Sequence, residues 1–177
     1  MALTRLGLNQ AINLATNTTG TLAVANGGTG LSSGFINGTT NVGKVLQVVT
    51  ATSDSNATTT STSFATHSSF PTVSITPSSS SNKVYVLCVT SVEVSSGYTA
   101  YYTLYRNDTT NLGTSGDGLT KTQVGGSAIP GSMGILDSPS STSAVEYQLY
   151  AKSSNSSGQA YVGKGVKQTI TAFEIEG

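Results

Sequence analysis

From Gly43 onward the chain reads as short runs of Val, Tyr, Ile and Leu, broken at short intervals by clusters of Ser, Gly, Asn and Pro, with no sustained helical spacing of apolar residues. That pattern leaves an all-β chain as the only economical fold. Strands are expected over 44–51, 61–66, 72–76, 83–94, 98–106, 127–136, 144–152, 159–163 and 167–175, with turns at 77–82, 95–97, 107–108, 125–126, 138–140 and 153–158. The expected architecture is a jelly roll or β-sandwich of about 8–10 antiparallel strands, a size that holds a single core.

Alternation along these runs separates strands that face water from strands that do not. Val145, Tyr147, Leu149 and Ala151 alternate with Glu146, Gln148, Tyr150 and Lys152, which describes one dry face and one wet face. The run 83–94 differs: Val84, Val86, Cys88, Val92 and Val94 fill one face while Tyr85, Leu87 and Val89 occupy half of the other. The same doubling occurs where Tyr98, Ala100, Tyr102 and Leu104 stand opposite Tyr101 and Tyr105, and where Ile170 and Ala172 accompany Phe173 and Ile175. With no helices to cover it, such a sheet must pack on a second sheet and on another subunit. Tyr85, Leu87, Tyr101, Tyr105 and Phe173 are therefore the candidate subunit-contact residues.

Charge divides the chain unevenly. Only Arg5, Lys44 and Asp54 precede Lys83, and the other thirteen charged residues follow. In residues 1–43 the apolar positions Leu3, Leu6, Leu8, Ile12 and Leu14 fit neither a helix nor a strand, and glycines at 27, 28, 30, 34, 38 and 43 follow. An arm of this kind buries no core of its own. The expectation is an extended docking arm over 1–43, contacting a partner through Leu3, Arg5, Leu6, Leu8, Ile12 and Leu14, and a globular knob over 44–177. Asn26, Gly27, Gly28 and Gly30 would form the joint between them. Ser and Thr supply 55 of the 177 residues, but 36% of the chain is hydrophobic and gathered into runs, which separates it from disordered polar sequence.

The same composition excludes several functions. Eight scattered Lys and Arg residues with zero net charge do not make a nucleic-acid interface. No apolar run approaches the ~20 residues of a spanning helix, and Met1 to Arg5 lacks a secretory n-region and h-region, so synthesis in a cytoplasm without membrane insertion is expected. Cys88 sits in an apolar run as a small buried hydrophobe, and His67 has no triad partner in view. Among the eight carboxylates no acid/base pair stands out; Glu174 and Glu176 share a strand face but are expected to be solvated beside the C-terminus. The Asn107-to-Asn111 and Asp117-Gly118 segments read as turn caps rather than cation loops, and the glycine pairs lack the lysine of a phosphate loop. No enzyme activity, metal or cofactor is expected.

The segment Thr21-Leu22-Ala23-Val24-Ala25-Asn26-Gly27-Gly28-Thr29-Gly30 resembles the "LPVANGGTG" joint of tail fibres and related surface proteins of tailed bacteriophages, departing from it at Ala23, where the family often has proline. The runs 75–84, 136–144 and 169–175 look like recurring blocks of phage fibre C-terminal domains. The resemblance implies a tumour-necrosis-factor-like jelly roll assembled as a homotrimer and carried on the virion. It implies a short, non-enzymatic surface fibre whose arm anchors to capsid, portal or tail protein and whose knob faces a host surface. Asn107, Asp108, Asn111, Asp117 and Asn155 would then lie on the receptor loops, with a host glycan as the candidate ligand. The alternative is a head-decoration or cement protein clamping capsid subunits at three-fold positions; a depolymerase ranks below both for want of a carboxylate pair.

Overall fold

The computed structural model describes residues 44–177; the arm residues and the glycine joint lie outside the described residues. Within them the chain is all-β, without a helix. Its strands are β1 (Val45–Ser53), β2 (Ala57–Thr59), β3 (Thr72–Ile75), β4 (Lys83–Val94), β5 (Ala100–Arg106), β6 (Thr110–Asn111), β7 (Thr120–Thr122), β8 (Ile129–Asp137), β9 (Val145–Ser153), β10 (Ala160–Val162) and β11 (Gln168–Ile175).

Two antiparallel sheets form a sandwich. In the first, the twelve-residue β4 is central: β8 occupies one edge, and β11 and β10 lie end to end along the other, flanked by β1 and β2. The second is ordered β3-β9-β5-β6, with β7 pairing the start of β5. Inner faces supply the core: Val84, Val86, Cys88, Val92, Val94, Ile170 and Ala172 from the first sheet meet Val73, Ile75, Tyr147, Leu149, Tyr102 and Leu104 from the second. The period-2 pattern of β4 and β9 thus selects which side chains are dry, and the hydrophobic transfer of these residues holds the sheets together. Tyr102 crosses the core to donate its hydroxyl to the carbonyls of Glu93 and Tyr161 on the first sheet, which satisfies the one polar atom of that buried ring.

Three details differ from the sequence expectation. The run 61–66 contributes only a bridge between Ala65 and Ala151, because the Ser61 hydroxyl donates to the Ser63 carbonyl and accepts from the Ser63 N–H and so turns the chain, and the strand forms earlier, at β2. The stretch 107–126, expected as loop, carries β6 and β7, two short strands that complete the edge of β5. Glu174 is not solvated. It points inward, is 1% exposed, and accepts bonds from Gln47 Nε2, Asn82 Nδ2, the Ser78 hydroxyl and the Ser78 backbone N–H.

Candidate functional site

The two outer faces of the sandwich are chemically unlike. On the first sheet, β4 presents Tyr85, Leu87 and Val89, with Leu136 and Gly134 of β8 on one side and Phe173 and Thr171 of β11 on the other. Val48 of β1 lies beyond Phe173. The Tyr85 and Phe173 ring centroids are 6.1 Å apart. Tyr85 also lies across Gly134, where any Cβ would collide with its phenol, so the glycine lets the ring lie down on the sheet. Among the described residues eight large hydrophobics are exposed, and seven of them, Val45, Leu46, Val48, Tyr85, Val89, Leu136 and Val166, lie on β1, β4, β8 or the loop after β10. The eighth is Val124.

Among the described residues the charged groups stand at the margins of this face. Lys83 closes one end, and the Glu93–Lys164 pair, 2.9 Å apart, closes the other. Beside that pair Val89, Ile129, Pro130 and Val166 line a cleft of about 400 Å³ with Lys164 and Lys167 on its rim. An uncharged apolar centre inside a polar margin is the anatomy of a protein–protein interface.

Of the five residues expected at a subunit contact, the structure brings Tyr85, Leu87 and Phe173 together here. Tyr101 and Tyr105 do not join them. Both lie on the outer face of the second sheet, where Tyr105 stacks on Tyr150 at 4.0 Å and Phe64 tilts against Tyr105 at 6.4 Å. Lys152 Nζ lies 4.6 Å from the Phe64 ring centroid and 5.0 Å from that of Tyr101. The alternation of Tyr150 and Lys152 on the wet side of β9 hinted at half of this cluster. Phe64 arrives from a segment distant in sequence, and no local pattern announced it.

The loop residues do not share one tip. Asn107 and Asp108, with φ of 49° and 57°, form the tight hairpin after β5, a backbone region that Asn and Asp tolerate. Asn155 follows β9, whose end pairs with the beginning of β5, so it lies at the opposite end of the sandwich. Their side chains serve the fold. Asn107 Oδ1 accepts the Glu146 N–H, Asp108 accepts the Tyr150 hydroxyl, and Asn155 caps Ser157. Asn111 accepts from Thr103 and Gly113, while Asp117 holds Lys121 at 2.7 Å.

The buried carboxylates are likewise committed. Asp137 accepts two bonds from Arg106 Nη1 and one from the Tyr147 hydroxyl, and Glu93 pairs with Lys164. Burial alone would push the Glu174 carboxyl up, but its bonds from Asn82, Gln47 and Ser78 outweigh that and hold it at about 2. Burial pushes the Cys88 thiol up to about 12. Tyr147 is raised first by burial and then by its bond to Asp137. No cluster of three or more His, Cys, Asp or Glu able to hold a metal occurs among the described residues, nor does any helix long and apolar enough to cross a membrane. No family model matches the sequence, and no curated protein matches it.

Proposed function

We propose that this chain is a non-enzymatic structural protein of a tailed-bacteriophage virion, a short homotrimeric surface fibre with a jelly-roll knob. Residues 1–43 anchor it to other virion proteins, and the knob faces the host surface. The observation that carries the assembly is the uncharged outer face of the first sheet, from Val48 across Phe173 and Tyr85 to Leu136. Monomeric soluble proteins rarely leave such a patch open. Four strands paired over seven to nine positions at ~4.8 Å spacing span roughly 500 Å² of flat sheet, and with side-chain relief and the adjoining cleft this approaches the ~800 Å² per partner of a stable interface. The occupants are further copies of the same chain arranged about a three-fold axis, where a face without charge packs against neighbouring copies without repulsion.

The phage assignment itself rests on the glycine joint and the recurring sequence blocks. Support for a structural rather than hydrolytic role comes from the carboxylates: Glu93, Asp137 and Glu174 are tied into ion pairs or hydrogen bonds that a general acid or nucleophile could not keep. A head-decoration protein is the second reading, since the same uncharged sheet face would bring its copies together on a capsid. Densitometry of purified particles against the major capsid protein separates the two: a few copies per particle indicates a fibre, hundreds a decoration protein, and absence from the particle refutes both.

A further inference from the structure

The outer face of the second sheet carries a cation held by aromatic rings rather than by a carboxylate. Lys152 is half-buried between Phe64 and Tyr101, within cation–π range of both rings. Lys44, Lys121, Lys164 and Lys167 each hold a carboxylate, whereas Lys152, like Lys83 at the margin of the opposite face, forms no ion pair among the described residues, and no Asp or Glu precedes Asp54 in the sequence. The register sets Lys121 and Lys152 on either side of Tyr101, and Gln148 opposite Tyr105, so cations, aromatic rings and an amide share one face.

We propose that this face binds an acidic saccharide: an aromatic ring, Tyr101 or Phe64, takes the apolar face of a pyranose, Lys152 takes a uronate carboxylate, and Gln148 takes neighbouring hydroxyls. The inference rests on the host-attachment reading above and moves its site from the loop tips, whose Asn and Asp side chains are already bonded within the fold, to a sheet face. A sugar suits the site better than a nucleic acid, since a neutral chain with one unpaired lysine here has no track for successive phosphates. Affinity from one charge and one stacked ring is modest, and attachment would draw on several copies at once.

The test is calorimetric titration of the full chain with a galacturonic acid trisaccharide and, in parallel, with its methyl ester, which removes only the charge. Binding of the acid at least ~10-fold tighter than the ester is expected, weakening in 0.5 M salt, with Lys152→Met losing at least ~10-fold and Lys152→Arg retaining affinity. The salt and ester comparisons use the unaltered protein and stand even if the Met variant folds poorly. Equal binding of acid and ester, an unchanged affinity in Lys152→Met, tighter binding of a dT12 oligonucleotide, or no heat at ~10 mM trisaccharide would each overturn the proposal. None of those results touches the trimer, which uses the opposite face, or the place in the particle, which rests on residues 1–43.

Discussion

Arg106 and Asp137 join the two sheets: the guanidinium Nη1 on β5 donates to both carboxylate oxygens on β8, at 2.8 and 2.9 Å, and Asp137 is 8% exposed. The Tyr147 hydroxyl from β9 completes the acceptor's shell at 2.8 Å. Removing one member leaves an unpaired charge in a dry place, which costs more than the pair contributes. Arg106→Met should therefore destabilise the knob by about 3 kcal/mol, read from urea unfolding, and Arg106→Lys by less. Equal stability of the wild type and the Met variant would show the pair to be solvated.

Glu174 gives the fold an acid-side dependence with a definite sign. Its folded value of about 2 lies below the ordinary 4.5, so its contribution is fully present above pH 4.5 and is lost as the pH falls through that interval toward 2. Glu174→Gln should unfold at lower urea than the wild type at pH 7, by about 1–3 kcal/mol, and the gap should close between pH 4.5 and 2. A gap that persists unchanged at pH 2 would assign the loss to packing rather than to charge.

Cys88, fully buried and with its thiol pushed up to about 12, should ignore a thiol reagent such as DTNB at pH 8 until the knob unfolds. Stoichiometric labelling of the native protein within minutes would contradict its placement in the core.

Leu87 and Tyr101 separate the two outer faces by function. Leu87→Asp places a charge at the centre of the first sheet's face and should dissociate the assembly, because burying it unpaired costs several kcal/mol, roughly. Tyr101→Asp, on the second sheet, should leave the assembly intact. Dissociation by both variants, or by Tyr101→Asp alone, would place the contact elsewhere.

The division between legible and illegible features follows the range of the interactions. Inward-facing positions of β4 and β9 were readable because alternation is a property of neighbouring residues, and Val84 or Leu149 carry it in the sequence itself. Which sheet a two-sided strand joins is decided by partners far away, so local sequence does not distinguish Tyr101 from Tyr85; the pairing of β5 with β9 and of β4 with β11 does. Glu174 follows the same rule: nearness to the C-terminus suggests water, while Asn82 and Ser78, more than ninety residues earlier, supply the bonds that satisfy it when buried. The strand in the 57–66 region is not legible because a Ser/Thr-rich segment has little apolar signal, and its position is set by pairing with β10.

The central claim, that copies of this chain cover the outer face of the first sheet, is tested most directly by size-exclusion chromatography with light scattering on the full chain at micromolar concentration. The account predicts a particle of three times the 18.0 kDa chain mass. A monomer of 18.0 kDa at every concentration tried would contradict it.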